Sequence, residues 1–124
     1  IQQEIDKGIA AENIMLAGFS QGGSIALHIG LRYPKRLAGI LALSTYLPTI
    51  DQLVGEGSVA GKTTPVFMAH GILDAVIAIE AGKSTFDTLS TLGYQLEWHD
   101  YLMEHSVCAE EIFHISTFMN SIFV

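Results

Sequence analysis

Residues 14–23 read IMLAGFSQGG, and this stretch decides the fold. The apolar run 14–17 predicts a buried strand, and the apolar positions that recur from Ile25 to Leu31 predict a helix. Between them lies the pattern Gly-x-Ser-x-Gly, typical of a nucleophile elbow, in which Ser20 sits on a strained turn above the end of the strand. The flanking glycines leave room for the strand and the helix to pack against that turn. Ser20 is therefore a candidate nucleophile, and a glycine-rich turn without chemistry is the alternative interpretation.

Strand and helix patterns alternate along the rest of the chain. The opening residues 1–7 read as a helix, which Gly8 is predicted to stop. The predicted strands cover about residues 13–19, 37–43, 65–69 and 95–101, and the further helices about 21–33, 79–92 and 109 to the end, with a long loop at 44–64. Continuous apolar strands separated by helices are typical of a parallel sheet covered on both faces. The sequence therefore predicts an α/β fold with a four-stranded, mainly parallel sheet and flanking helices, in a single domain over residues 1–124.

The composition argues against several classes of partner. The 124 residues are 49% hydrophobic and 15% charged, and 6 Lys+Arg against 13 Asp+Glu give a formal charge of −7. Disorder, nucleic-acid binding and binding to anionic membranes are therefore not expected. Residues 13–31 lack charged side chains but carry glycines and polar groups, which favours a strand and a helix over a membrane span. The single cysteine, Cys108, is interpreted as a buried thiol, and a cytoplasmic location is expected because no intrachain disulfide can form.

Three candidate catalytic side chains follow predicted strands. Ser20 follows the first strand, Asp74 the third and His105 the fourth, and the carboxyl ends of parallel strands meet at one edge of a sheet. A serine hydroxyl becomes a nucleophile when a neutral imidazole takes its proton, and a carboxylate holds that imidazole in the correct tautomer. The backbone N–H of Gln21 would stabilise the developing oxyanion. The chain order Ser, Asp, His is the order found in α/β-hydrolases.

The histidines and Asp74 also have plainer interpretations. Asp74 fits a turn or a helix N-cap as well. His28, His99 and His114 fall within predicted helices or a strand and are interpreted as structural. His70 is the rival base, since it too follows a strand, but it precedes Asp74 by only four residues. No Cys/His cluster has zinc-ligand spacing and no glycine-rich loop fits a phosphate, so no metal and no cofactor are expected.

The chain resembles the carboxylesterase/acyl-protein thioesterase family of α/β-hydrolases at residues 18–23 (GFSQGG), 43–48 (LSTYLP), 70–74 (HGILD) and 104–106 (EHS). These motifs occur in the family's order and span nearly the whole chain. The resemblance implies Ser20 as nucleophile, Asp74 as orienting acid and His105 as base. It also implies oxyanion or substrate contacts at Gln21 and Leu73. The implied activity is hydrolysis of short to medium acyl esters through an acyl-enzyme, and some members cleave thioesters or lysophospholipids.

Two departures from the family pattern change these expectations. Ala75 and Ala78 stand where members commonly have proline, so the Asp74 loop is expected to be less rigid. Members are also about twice as long, so the chain is expected to be the carboxyl-terminal half of the fold, as a partial or minimal domain. The loop that supplies a second oxyanion donor is then missing, and such a loss typically lowers turnover by on the order of 10²–10³. A non-catalytic or weakly active half that serves as an association or ligand-binding module is the alternative.

An edge strand and an apolar helix predict a partner. In the family's sheet order the matching four strands lie side by side, so the resemblance implies that the strand before Ser20 lies at the sheet edge. A long apolar edge aggregates unless it is covered. The last helix carries a predicted apolar stripe that is extended by further aromatic and aliphatic residues. The stripe consists of Cys108, Ile112, Ile115, Met119 and Ile122, and its extension of Phe113, Phe118, Phe123 and Val124. The expected partners are a small-molecule ester and either a second copy or a missing amino-terminal half, with no nucleic acid and no stable membrane insertion.

Overall fold

The computed structural model describes residues 1–123, and the predicted α/β fold is confirmed. Four parallel strands form one sheet in the order β1-β2-β3-β4. The strands are β1 (Met15–Phe19), β2 (Gly39–Leu43), β3 (Val66–Gly71) and β4 (Leu96–Tyr101). The helices are α1 (Gln2–Asp6), α2 (Gln21–Gly30), α3 (Leu53–Glu56), α4 (Ile79–Thr91) and α5 (Ala109–Phe123). Because every strand runs the same way, the segments that follow the strands all leave from one edge of the sheet.

The two faces of the sheet are buried in two separate cores. Ile40 and Met68 point to the face covered by α2 and α4, where Leu27 and Leu89 are fully buried. The alternate positions point to the other face, where Phe67 packs against Phe118 of α5 with ring centroids 5.4 Å apart. Successive strand residues face opposite sides. The central strands are therefore apolar at almost every position. This continuous apolar pattern is the one from which the sequence analysis predicts strands covered on both faces.

The element boundaries differ from the predicted ones by a few residues. Helix α2 ends at Gly30 rather than Tyr33, because proline at position 34 disfavours helical backbone in the residue before it. Strand β3 continues to Gly71, since its last two residues pair with Asp100 and Tyr101 of β4. The predicted loop at 44–64 contains α3 and two 3₁₀ turns, Ile50–Gln52 and Ala60–Thr63. The predicted glycine stop at Gly8 is present, with a φ of 96°, and Gly93, two residues after α4, has a φ of 92°.

Strand β1 lies at the edge of the sheet and is less buried than a strand with two neighbours. Ala17 is exposed and Phe19 is 39% exposed, whereas every residue of β3 is buried. The expected edge position is thus present, but the expectation that residues 14–17 are buried is wrong. The reason is that, among residues 1–123, β1 has a neighbouring strand on one side only. Within residues 1–123, no helix combines the length and the apolar character that crossing a membrane requires.

The buried face of α5 differs from the predicted stripe. Phe118, placed in its extension, is the most deeply buried apolar residue of the described helix, and Ile115 and Ile122 pack beside it. Glu111, absent from the stripe, is fully buried at the start of the helix. The exposed apolar side chains of α5 are Ile112, Phe113, Met119 and Phe123, and Val124 lies outside the described residues. The predicted stripe and the buried face differ because apolar side chains lie on most sides of α5. Periodicity alone therefore does not identify the face of the helix that packs on the sheet.

Candidate active site

The turn at Ser20 has the backbone conformation of an elbow. Its φ is 58° and its ψ is −122°, a region that residues other than glycine rarely adopt. The Ser20 N–H donates to the carbonyl of Leu43 on β2 at 2.8 Å. The Ser20 carbonyl accepts from the N–H groups of Gly23 and Ser24 at 3.0 and 3.2 Å. The strained turn is therefore held from the sheet on one side and from α2 on the other.

The glycines around the elbow do not all serve the same purpose. A Cβ on Gly18 would lie 2.1 Å from the carbonyl carbon of Gly22, and one on Gly23 would lie 2.6 Å from Cγ2 of Thr45. A Cβ on Gly22 would meet nothing within 4 Å. The structure thus requires glycine at positions 18 and 23, where α2 crosses β1 and meets the next loop. The second glycine of the Gly-x-Ser-x-Gly pattern fills no comparable close approach.

Asp74 and His105 lie in direct contact. Asp74 is on the loop between β3 and α4, and its Oδ2 accepts a hydrogen bond from Nδ1 of His105 at 2.6 Å. Its Oδ1 accepts from the backbone N–H groups of Val76 and Ile77 at 2.9 and 2.8 Å. A carboxylate oxygen only accepts, so Nδ1 of His105 carries the proton. Nε2 of His105 is then the free acceptor, which is the tautomer that a general base requires.

Burial and hydrogen bonding act on the pKa of Asp74 in opposite directions. Desolvation raises the pKa, because it disfavours the charged carboxylate. The hydrogen bonds from His105 and from the N–H groups of Ile77 and Val76 lower it and outweigh the desolvation. The pKa of Asp74 is therefore below its ordinary value of 3.8, and the carboxylate is charged at neutral pH.

Replacing Asp74 with asparagine is expected to flatten the acid side of the stability profile. A carboxyl group with a lowered pKa contributes stability that is fully present above its unfolded value and is lost as pH falls through its folded value. At pH 7 the free energy of unfolding in urea should be about 1.5–3 kcal/mol higher for the wild type than for Asp74→Asn, the value of a hydrogen bond to a charged group. The difference should narrow below about pH 4. A difference that stays constant from pH 7 to pH 3 would contradict this account.

The ring of His105 stands beside the elbow. Its centroid lies 4.7 Å from that of Phe19, the residue before Ser20. Over residues 1–123 no hydrogen bond joins the Ser20 hydroxyl to His105. Bonds of this kind are often long in structures without substrate and tighten when substrate binds. The structure therefore brings Asp74 and His105 together at the carboxyl ends of the strands, where Ser20 also lies.

The two remaining predicted residues occupy different positions. Gln21 is the first residue of α2, where backbone N–H groups have no partner within the helix and are free for a ligand. Leu73 is 54% exposed on the Asp74 loop, and its N–H donates to the carbonyl of Met103 at 3.0 Å. Ile77, rather than Leu73, is the residue of this loop that lines the cavity beside Ser20. The role of Leu73 in substrate contact stays a prediction.

An apolar cavity of about 470 Å³ opens beside Ser20. One wall is α2 and the opposite wall is the segment after β2. The lining residues are Ser20, Gln21, Ser24, Ile25, His28, Ile29, Tyr46, Leu47, Pro48, Thr49 and Ile77. His28, interpreted from sequence as structural, is part of this wall, and its Nδ1 lies 2.9 Å from the Thr49 hydroxyl. The cavity was not predicted, although the four-residue spacing of Gln21, Ile25 and Ile29 was a signal that they share a helix face.

Two further residues lie near the site: His70, which the sequence offered as a rival base, and Ser44, to which the sequence analysis assigned no role. His70 is fully buried behind Asp74, with Nε2 3.5 Å from Asp74 Oδ2. Ser44, which follows β2, is also fully buried and has a φ of 51°. Both residues belong to motifs recognised in the sequence, but a motif does not indicate whether a side chain is buried. Throughout the described chain, no cluster of His, Cys, Asp and Glu side chains is arranged to hold a metal ion.

Comparisons with known proteins agree with this fold. The sequence profile of the phospholipase/carboxylesterase family matches residues 1–123. Acyl-protein thioesterase 1 of Neurospora crassa is 44% identical over 123 residues, which cover 96% of this chain and 50% of that protein. Carboxylesterase SOBER1 of Arabidopsis thaliana is 32% identical over 120 residues, which cover 96% of this chain and 53% of that protein. The crystal structure of Arabidopsis thaliana SOBER1 matches with a TM-score of 0.94 at 31% identity, over 99% of this chain and 59% of that chain. The chain therefore spans about half the length of the curated relatives it matches.

Proposed function

The chain belongs to the phospholipase/carboxylesterase family, and from this membership we propose that it hydrolyses carboxylic esters of short to medium acyl chains through Ser20, His105 and Asp74. The observation that carries the proposal is the 2.6 Å hydrogen bond between Asp74 and His105 at the edge of the sheet where Ser20 stands on its strained turn. A serine, an oriented imidazole and a buried carboxylate are the groups that acyl transfer requires. No cofactor takes part in this chemistry.

The proposed reaction has two stages. In the first, Oγ of Ser20 attacks the ester carbonyl carbon while Nε2 of His105 takes the hydroxyl proton, and the proton then passes to the departing alkoxide. In the second, Nε2 of His105 takes a proton from water as the hydroxide attacks the acyl carbon. The bond from that carbon to Oγ of Ser20 then breaks, the carboxylic acid leaves, and His105 returns the proton to Ser20. The N–H of Gln21 donates to the oxyanion of each tetrahedral intermediate. With Gln21 as the one donor in this proposal, we expect slower turnover than with a two-donor oxyanion hole.

The cavity beside Ser20 is the proposed seat of the acyl chain. It runs along α2 from Ser20 to His28, a distance of about 12 Å at the helical rise per residue. Ile25 and Ile29 supply apolar surface along this path. An acyl chain of medium length would bury its methylenes there, and each buried methylene contributes about 0.8 kcal/mol.

The rate of hydrolysis is expected to depend on acyl length. With p-nitrophenyl esters, kcat/KM should rise about threefold to fourfold per methylene from acetate to hexanoate, because each methylene adds apolar contact. Ile25→Asn should abolish most of this rise and leave acetate hydrolysis nearly unchanged. Ile112→Asn is the matched control, since Ile112 is exposed on α5 and is not part of the cavity lining. A wild type that shows no gain with acyl length would contradict the assignment of this cavity.

A thioesterase or lysophospholipase activity is the second candidate. It is favoured by the printed name of the Neurospora crassa relative, acyl-protein thioesterase 1. The same nucleophile would attack a thioester carbonyl, so the comparison of a thioester with an ester of equal acyl length distinguishes the two. An association or ligand-binding module without turnover is the remaining alternative, and it would bind esters without cleaving them. We propose a cytoplasmic location, since the one cysteine of this sequence, Cys108, can form no disulfide within it.

The open edge of β1 is the proposed site of a partner. The carbonyl of Ile14 accepts from the N–H of Ala38, and the N–H of Ser20 donates to the carbonyl of Leu43, so both residues form their backbone hydrogen bonds toward β2. In a parallel strand the intervening residues then present N–H and C=O groups on the open side, and these include Ala17. Exposed Ile25 and Ile29 of α2 lie beside this edge in a shared apolar groove. We propose that a second copy, or the amino-terminal part of a longer domain, covers this surface.

Self-association is expected at micromolar concentration. Sedimentation of the wild type should give a species of at least twice the monomer mass, because an uncovered apolar edge pairs with another strand. Ala17→Lys should shift the protein to monomer, since a charge on the edge opposes pairing. Ala75→Lys, an equal change at an exposed position in the Asp74 loop, should leave the mass unchanged. A monomeric wild type would contradict covering by a second copy.

A further inference from the structure

We propose that His70 is a positioning residue that fixes the Asp74 loop, an inference that rests on the triad proposed above. His70 is the next-to-last residue of β3 and is 1% exposed. Its Nε2 lies 2.7 Å from the carbonyl oxygen of Ile77. A carbonyl oxygen only accepts, so Nε2 carries the proton and donates. His70 therefore ties the end of a buried strand to the far side of the loop that carries Asp74.

Hydrogen bonds hold the loop at both backbone polar groups of Ile77, the N–H and the carbonyl. Its N–H donates to Oδ1 of Asp74 at 2.8 Å, and its carbonyl accepts from His70 at 2.7 Å. The protonated Nε2 of His70 also lies 3.5 Å from Oδ2 of Asp74, the oxygen that receives the hydrogen bond from His105. His70 thus acts on Asp74 through the backbone of Ile77 and through the dipole of its own N–H.

The imidazole of His70 has little freedom to move. On one side, a Cβ at Gly82 of α4 would lie 2.6 Å from its Nδ1, so the helix packs directly against the ring. On another side, the ring of Trp98 lies nearly parallel, with centroids 6.3 Å apart and an angle of 15°. A buried ring held in this way positions its donor more firmly than an exposed side chain does. Its burial also argues against His70 as the base, because Nε2 already donates to Ile77 and α4 packs against Nδ1, which leaves neither ring nitrogen open to a substrate.

The hydrogen bonds at Ile77 account for how a loop without prolines is held. Ala75 and Ala78 leave the backbone of this loop free of ring constraints. The hydrogen bonds at Asp74 and His70 restrict the same segment from within the fold. We therefore expect that loss of the His70 donor lets Ile77 and Asp74 move. This movement should weaken the Asp74–His105 hydrogen bond while the rest of the chain stays folded.

Two variants of matched length separate the donor from the bulk of the side chain. His70→Gln can place an amide N–H near the position of Nε2, whereas His70→Met has similar length and no donor. The readout is the low-field proton NMR resonance of the His105 Nδ1–H in the ¹⁵N-histidine-labelled chain, identified by its absence in Asp74→Asn. This resonance reports the Asp74–His105 hydrogen bond and needs no turnover. We expect it in the wild type and in His70→Gln, and its loss in His70→Met.

The proposal is overturned if His70→Met keeps the resonance at its wild-type position, or if His70→Gln loses it to the same extent as His70→Met while both stay folded. Should His70→Met fail to fold, Gly82→Ala decides, because its Cβ displaces the His70 ring without changing the donor. Loss of the resonance in Gly82→Ala supports the proposal, and an unchanged resonance overturns it. Failure of the proposed function is recognised separately, as absence of fluorophosphonate labelling at Ser20 in the wild type. Where the wild type turns over, His70→Met should lower kcat by on the order of 10² with little change in KM, and His70→Gln should restore most of it.

Discussion

Replacing Ser20 with alanine is expected to lower ester hydrolysis by about 10³–10⁴-fold, as measured with p-nitrophenyl butyrate. Removal of the nucleophile from a complete serine triad lowers kcat by about 10⁶. The proposed oxyanion hole has the one donor assigned here, the N–H of Gln21, and the lack of one donor typically lowers the starting rate by on the order of 10²–10³, so we expect a smaller measurable loss. The remaining rate would come from substrate held in the cavity and attacked by water.

The control for Ser20→Ala is the same chemical change at Ser84. Ser84 is exposed on α4 and lines no part of the cavity beside Ser20. Ser84→Ala should therefore hydrolyse the ester at the wild-type rate. Equal rates for the wild type and Ser20→Ala would show that hydrolysis does not pass through Ser20, and would leave the binding-module alternative.

Replacing Gly18 with alanine is expected to destabilise the fold by at least about 4 kcal/mol. The added Cβ would lie 2.1 Å from both the carbonyl carbon and the carbonyl oxygen of Gly22, where ordinary contacts between carbons are about 3.5–4.0 Å. Both partners are backbone atoms, so relief requires α2 to move away from β1. Such a loss is comparable to the whole stability of a small domain, about 5–15 kcal/mol. Urea unfolding should show a midpoint far below that of the wild type.

Gly22→Ala is the matched control for this clash. The new Cβ would meet nothing within 4 Å, and Gly22 lies in a helix, where alanine is favoured over glycine by up to about 1 kcal/mol. The variant should unfold at the wild-type midpoint or slightly above it. Equal destabilisation by Gly18→Ala and Gly22→Ala would contradict the packing described at the elbow.

The sheet was predictable because burial of a strand on both faces produces a continuous run of apolar residues in the local sequence. Ile40 and Leu41 face opposite cores, and the same holds for Phe67 and Met68, so the two central strands are apolar without interruption. The edge strand was less predictable: residues 14–17 have the same apolar pattern, yet their exposure depends on whether a neighbouring strand exists. Local sequence carries no information on that neighbour.

The candidate site was predictable only where chemistry restricts the residue type. Asp74 and His105 were paired from strand ends and chain order, and they lie in contact. The cavity wall was missed because Ile25 and Tyr46 look like any other apolar side chains until their exposure is known. His70 was considered as a base, since sequence places it after a strand but does not reveal that its ring is buried behind Asp74.

The most direct test of the account is fluorophosphonate labelling followed by intact-mass measurement and peptide mapping. A fluorophosphonate reacts with a serine that a neighbouring base activates, so it reports the nucleophile without requiring deacylation. We expect one adduct per chain on the peptide that contains Ser20, no adduct in Ser20→Ala, and strongly slowed labelling in His105→Gln. An unlabelled wild type, or an adduct on any other residue, would contradict the assignment of Ser20 as the nucleophile.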